Sequence, residues 1–438
     1  MTELKDGWSY KRLDELGAIA RGKSKHRPRN DPCLYGGKYP FIQTGDVKNA
    51  DLYISKYSQT YNEKGLAQSK LWEPDTLCIT IAANIAETAL LKINACFPDS
   101  IVGFVANKEE ADVKFVKYYI DTIKLQMQNI SKGTTQDNLS LDKLLLFKFL
   151  VPSVGTQRKI ASILSNYDDL IENNTRRIEI LEQIAKLVYE EWFIKFRFPG
   201  HEKVKIVPSE LGEIPEGWRI DKLEKIANVN ELSLKKGEEP QEINYVDISS
   251  VTTGKIDETK FIAYSDAPSR ARRIVKHGDI IWSTVRPNRK SFALILNPLP
   301  NLIVSTGFAV ITAKSIPYTY LYHILTADDF VGYLTNNATG AAYPAVNADD
   351  FKNANILVPT DDLLDQFNKI VSNLFNLKHN LLDKNQNLRK TRDLLLPKLI
   401  SGEIDVSDLD IRIKNECQER NFNFEEPQDE KGLRLKVV

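Results

Sequence analysis

From Gln157 to Trp192 the apolar residues recur in alternating steps of four and three. Ile160, Leu164, Tyr167, Ile171, Asn174, Ile178, Leu181, Ala185 and Val188 form one narrow stripe with a single polar member. Between them stand charged or polar residues such as Asp168, Asp169, Glu172, Arg176, Arg177, Glu179 and Glu182, and no Gly or Pro interrupts the run. A 3.5-residue period held over four heptads predicts a long helix whose seam seeks a partner helix. A second stripe of the same stepping lies near the C-terminus: Leu363, Phe367, Ile370, Leu374, Leu377, Leu381, Lys384, Leu388 and Leu395. Its polar member, Lys384, stands 210 residues after Asn174. Thr156 and Thr360 or Asp361 are the expected N-caps, and Pro397 is expected to end the second helix. Two such stripes in one chain pair most simply with each other, antiparallel. A lone polar residue in such a seam either fixes register at a cost in stability or lies at the seam's edge with its polar end reaching water, and Asn174 and Lys384 fit both readings.

The rest of the chain is also duplicated. Gly7-Trp8 with Leu13 and Leu16 returns as Gly217-Trp218 with Leu223 and Ile226. Asp75 to Thr80 aligns with Asp279 to Thr284, Gly103-Phe104 with Gly307-Phe308, and Val151-Pro152 with Val358-Pro359. The order never scrambles, so each copy reads as a mixed α/β head of short strands followed by a long helix. The expected organisation is α+β: a first head over 1–152, a central long-helix region over 153–198, a second head over 199–359, a distal long-helix region over 360–404, and a loosely ordered tail over 405–438. Two unlike heads joined by a helical spacer suit a ligand touched at two places a fixed distance apart, and duplex DNA repeats its major groove about every 34 Å.

Composition alters this picture little. The 438 residues carry 59 basic and 59 acidic side chains, 42% hydrophobic and 27% charged residues, as ordinary soluble globular proteins do. No run of 18 apolar residues and no signal-peptide pattern occurs, so a cytoplasmic protein without a membrane span is expected. The four cysteines show no CxxC spacing and the five histidines no metal spacing, so no metal is expected. Zero net charge leaves room for local basic patches. Lys23, Lys25, Arg27 and Arg29 form one; Arg270, Arg272 and Arg273 a second; Arg286, Arg289 and Lys290, around Asn288, a third. Forked or mobile cations suit phosphates and guanine edges, and Gln43, Thr44, Gln136, Asn288 and Tyr343 could reach base edges or backbone.

Several longer stretches carry a family likeness. Gly133-Thr134-Thr135-Gln136, Gln157-Arg158-Lys159-Ile160, Glu191-Trp192-Phe193 with Phe196-Arg197-Phe198-Pro199-Gly200, Glu213-Ile214-Pro215-Glu216-Gly217-Trp218, and Leu394 to Ile404 resemble, in order, recurrent motifs of the specificity subunits of type I restriction-modification systems. The resemblance implies a non-catalytic DNA-reading subunit. Each head would read half of a split asymmetric site in double-stranded DNA, the helix pair setting the spacer. Two modification subunits, which carry S-adenosylmethionine and methylate adenine, would dock on the helices, and restriction subunits, with ATP, would join them. This chain would need no cofactor of its own. The second copy departs by carrying Gly340-Ala341-Ala342-Tyr343-Pro344 where the first has Gly-Thr-Thr-Gln, as two heads reading different bases would. Two other classes stay open: a metal-dependent nuclease using Asp99, Asp112 and Lys114, and a coiled-coil scaffold that binds proteins only.

Overall fold

The computed structural model describes residues 7–131 and 139–411. The expected loosely ordered tail therefore lies largely outside the described residues. The chain forms two compact units, one made of 1–173 with 385–438 and the other of 174–384. Both dividing points fall inside long helices, so each unit contains part of both.

In the first unit, Ser9–Arg12 pairs antiparallel with Lys148–Val151. A five-stranded sheet runs in the order Gly17–Arg21, Ile101–Ala106, Leu77–Thr80, Thr88–Leu91, Tyr53–Ile54. Leu77–Thr80 is buried at every position because both sheet faces are covered, which is why it reads as an unbroken apolar run. Helix α1 (Val113–Ser131) packs on this sheet through Phe115, Val116 and Ile120. The second unit repeats the order of these parts. Arg219–Lys222 pairs antiparallel with Asn355–Val358, and a four-stranded sheet runs Ala227–Val229, Phe308–Ala313, Ile280–Ser283, Phe292–Leu294. A second four-stranded sheet has no equivalent of that size among the described residues of the first unit: Lys260–Ala263, Glu242–Val246, Leu302–Ser305, Ala271–Ile274.

Helix α2 (Val154–Tyr189) starts two residues before Thr156; Ser153 instead receives the Thr156 amide at 3.4 Å, so the cap lies earlier than expected. Its seam follows the sequence reading. Ile160, Leu164, Ile171, Asn174, Ile178 and Ala185 are buried, with Tyr167 and Leu181 half-buried. In the second unit, helix α3 (Tyr318–Thr326) lies under the C-terminal end of α2, and helix α4 (Asp361–Ile400) supplies the partner stripe. There the expected register needs correction. Ile370, Leu377 and Lys384 are exposed, and Val371, Lys378 and Asn385 face inward one position later, with Leu381 buried and Leu374 and Leu388 half-buried. Steps of four and three persist as Phe367, Val371, Leu374, Lys378, Leu381, Asn385, Leu388, Arg392, Leu395, Leu399. The inward polar members each meet a partner on α2. Lys378 pairs with Glu182 at 2.5 Å, Asn385 donates to the Ile171 carbonyl at 3.3 Å, and Arg392 pairs with Asp168.

Asp168, expected on the solvated face, is 1% exposed. It accepts the Tyr118 hydroxyl of α1 as well as the Arg392 guanidinium, so three helices of the first unit converge on one carboxylate. Burial alone would depress the guanidinium; the carboxylate overrides it and pushes the Arg392 pKa up.

Pro397 does not end α4, which continues through it to Ile400. Within the last turn its missing amide forfeits only one helical bond. The stop comes at Gly402, with φ 74°, where an added Cβ would meet the Trp8 ring at 2.7 Å. The duplicated Gly7-Trp8 and the family-like stretch Leu394 to Ile404 thus meet in one contact. At the other end of α2 the stretch Glu190–Ile194 widens into a π-helix. Phe193 there packs on Tyr320, Phe367 and Trp218 at centroid distances of 4.7, 4.9 and 5.9 Å, closing the second core.

Candidate nucleic-acid interface

In the second unit two loops lie side by side at one end of the main sheet. The first follows Ile280–Ser283 and runs from Thr284 through Lys290; the second contains Gly340 to Pro344. The Arg286 amide donates to the Pro344 carbonyl at 2.7 Å, Val285 bridges Ala345, and the Val346 amide donates to the Thr284 carbonyl at 2.9 Å. Arg286 and Lys290 both sit in the left-handed region, φ 53° and 54°, flanking the turn Pro287–Arg289. Non-glycine residues seldom adopt that backbone, and such outliers gather where a loop must hold one shape. The Arg286 guanidinium lies 4.5 Å from the centroid of the Tyr343 ring and donates to the Ala342 carbonyl at 3.2 Å. Tyr343 is 68% exposed. A cation over an outward-facing ring offers a guanidinium fork and a stacking surface together. Asn288 and Arg289 project beside them into solvent. Lys290 is drawn aside to Asp328 at 2.6 Å.

The other basic run of this unit divides. Arg270 is exposed. Arg272 bonds the Tyr264 hydroxyl and lies 3.7 Å from Glu239. Arg273 donates to Ser233 Oγ at 3.0 Å, and burial lowers its pKa. Both side chains are held by protein partners, and Arg270 is the most exposed of this cluster.

In the first unit Lys23, Lys25, Arg27 and Arg29 are all exposed. Arg29 pairs with Asp99 at 2.7 Å, and Arg27 donates to the carbonyls of Ser24 and His26, each at 2.8 Å. Gln43 lies on a separate strand-to-helix turn, where its side chain donates to Gln59 at 2.6 Å and Thr44 opens the following helix. Thr134, Thr135 and Gln136 lie outside the described residues. Leu139, the first described residue after them, donates its amide to the Ile81 carbonyl at 2.9 Å, as Val346 donates to Thr284 in the second unit.

The carboxylates that suggested a nuclease have other tasks. Asp99 holds Arg29, and Asp112, whose pKa burial raises, accepts the amides of Lys114 and Phe115 at 3.0 Å each as the cap of α1.

Residues 5–183 match the family model described as the type I restriction modification DNA specificity domain. Two curated relatives extend the likeness along the chain. The MjaIX specificity subunit of a type I restriction enzyme from Methanocaldococcus jannaschii is 26% identical over 413 residues, covering 92% of this chain and 94% of the relative. The HindI specificity subunit from Haemophilus influenzae is 23% identical over 470 residues, covering 89% and 98%. Along most of its length the chain is similar to specificity subunits of type I restriction-modification systems. Among solved structures, the S subunit of a type I restriction-modification system from M. genitalium shares this fold at a TM-score of 0.58. It is 18% identical, with 91% of this chain and 97% of that one covered.

Two features of this chain escaped sequence reasoning. The Arg286–Tyr343 pair joins residues from separate loops, and no sequence signal placed them together. His26, Asp31 and Cys33 also come together, with His26 Nε2 3.0 Å from Asp31 Oδ2 and the Cys33 amide donating to Asp31 Oδ1 at 2.9 Å. That amide, the Cys33 side chain and His26 lower the Asp31 pKa to about 2.

Proposed function

We propose that this specificity subunit reads a bipartite, asymmetric site in double-stranded DNA, one half with each unit, and that its helix pair sets the spacer between the halves. The chain supplies sequence recognition to its complex and no catalytic step. The observation that supports the split site is the recurrence of one backbone tie beside the central strand in both units. In each unit the segment just after the same central strand receives one backbone bond from a later part of the chain: Leu139 to Ile81, and Val346 to Thr284. In each unit basic or amide side chains occupy the neighbouring turns. In the second unit, Arg286, Asn288, Arg289 and Tyr343 are the base-reading candidates, with Arg270 and Lys290 beside phosphate. In the first, Lys23, Lys25, Arg27 and Arg29 serve the backbone, and Gln43, Thr44, Thr134, Thr135 and Gln136 serve base edges.

The spacer role rests on two continuous helices, each with its ends in different units, whose buried polar partners allow one register. A pseudo-two-fold repeat of head and helix accounts for the matching order of elements. Docking of two modification subunits is supported by apolar side chains left outside the seam on α2 and the π-helix that follows it: Ile180, Ile184 and Leu187, then Ile194, exposed at 44, 41, 55 and 53%. S-adenosylmethionine and ATP belong to the modification and restriction subunits in this reading. No helix among the described residues is long and apolar enough to cross a membrane, in keeping with a cytoplasmic assembly.

The test is a gel shift with duplex pools, using modification subunits with and without this chain. Retention of one split motif only when the chain is present is expected. Equal retention of all sequences, or a preference that persists without the chain, would overturn the proposal.

A further inference from the structure

Among the described residues, one group of three metal-ligand side chains gathers its donor atoms within 4.8 Å of one another: His26, Asp31 and Cys33. We propose that these three residues form a zinc site that clips the basic loop of the first unit, with water as the fourth ligand.

The donor set selects the metal. A thiolate and an imidazole favour zinc, whereas magnesium and calcium seek shells made of oxygen. Zinc bonds of about 2.0–2.3 Å place tetrahedral ligands roughly 3–4 Å apart. His26 Nε2 and Asp31 Oδ2 are already 3.0 Å apart. Solvent reaches the group, with Cys33 exposed and His26 and Asp31 half-buried, so an ion has an entry path and a place for its water.

The site is also held from outside. Gln68 Oε1 accepts the amides of Lys25 and His26 at 2.5 and 3.0 Å, pinning the backbone that carries the imidazole. Asn62 Nδ2 donates to the carbonyls of Cys33 and Tyr35 at 2.9 and 3.1 Å, pinning the thiol's backbone. Between them, the Asp31 amide donates to the Pro28 carbonyl at 3.2 Å and the Leu34 amide to the Asp31 carbonyl at 3.1 Å. Supporting bonds of this kind orient ligands before the ion arrives. The neighbouring cations are an objection that the geometry reduces: Arg29 is matched by Asp99, and Arg27 turns into backbone carbonyls. The second unit has Asn230, Glu231 and Leu232 after its corresponding strand, without His or Cys, so the clip belongs to one head. The spacing, His-x4-Asp-x-Cys, matches no common zinc signature, which is why the sequence alone leads to no metal.

The experiment uses the full chain, purified reduced and stripped of metal, with cobalt(II) as the optical probe and zinc in competition. One equivalent of cobalt should give a thiolate-to-cobalt charge-transfer band that zinc abolishes. Cys33→Ser should remove the band, His26→Gln should weaken zinc binding at least tenfold, and Cys417→Ser should leave both unchanged. Cys33 is exposed, while Cys78 and Cys96 are buried in apolar clusters, so Cys33→Ser disturbs no core and tests ligation directly. Absence of a band, a band that survives Cys33→Ser, or one lost in Cys417→Ser would overturn the proposal.

Discussion

Arg392→Met removes the cation from the buried carboxylate of Asp168 while keeping most of the side-chain volume. Asp168 is 1% exposed and would retain the Tyr118 hydroxyl alone. Breaking a buried pair from one side costs about 3–5 kcal/mol, because the remaining charge is neither paired nor hydrated. The Arg392 side chain is 21% exposed, so water can reach the vacated place and the lower end, about 3 kcal/mol, is expected. Tyr118→Phe should cost less, about 1.5–3 kcal/mol, the range for a hydrogen bond to a charged group. Replacing both members, Asp168→Leu with Arg392→Met, should regain much of the loss, since well-packed apolar residues often substitute for such a pair. Urea unfolding of the full chain, followed by circular dichroism and tryptophan fluorescence, gives these differences as midpoint shifts in the transition of the first unit. A loss below about 0.5 kcal/mol for Arg392→Met, or a double variant less stable than the single one, would refute the assignment of this triad as the buried lock between α1, α2 and α4.

Acid should act on the second unit through His323. Burial, then the charges of Lys378 and Lys186, lower its pKa from 6.5 to about 3. The unfolded histidine takes up a proton that the folded one refuses. This contribution is therefore complete above pH 6.5 and lost as pH falls toward about 3, amounting to roughly 2 kcal/mol by pH 5. His323→Phe should flatten that slope in unfolding measured from pH 7 to 5; an unchanged slope would contradict the assignment. Arg286→Ala should weaken binding of the assembled complex to its own site by about 10–100-fold and relax one half-site only, read by selection from a randomised duplex pool. Lys23→Ala or Lys25→Ala should instead weaken binding to all sequences and reduce the salt dependence by about one counterion each. One heptad added to α2 and its match in α4 lengthens the helices by about 10 Å, or about three base pairs, and should change the spacer but neither half-site in methylation mapping.

Much of this architecture could be read from residue patterns, because a duplicated chain states each element twice. The α2 seam was legible since its apolar positions fall where they are buried. The α4 seam was misread by one residue. Ile370 and Val371 are both apolar, and the periodicity favoured Leu377 over Lys378 and Lys384 over Asn385. What decides the register is the partner: Asp168 needs Arg392, and the Ile171 carbonyl receives Asn385. Patterning of one helix cannot encode that choice. Pro397 likewise signalled a stop that Gly402 makes. The basic clusters were legible as composition, but their fates were not. Arg272 and Arg273 are tied to Tyr264, Glu239 and Ser233, while the left-handed Arg286 is presented beside a loop more than fifty residues away in the chain.

The central claim is that this chain imposes a split recognition sequence on its complex. Sequencing of methylated bases in cells carrying the intact system, compared with cells lacking only this chain, tests it most directly. The account predicts one adenine-methylated motif of two specific halves with a fixed unspecified gap, present only when the chain is present. Methylation of a contiguous motif, or the same split motif without the chain, would contradict it.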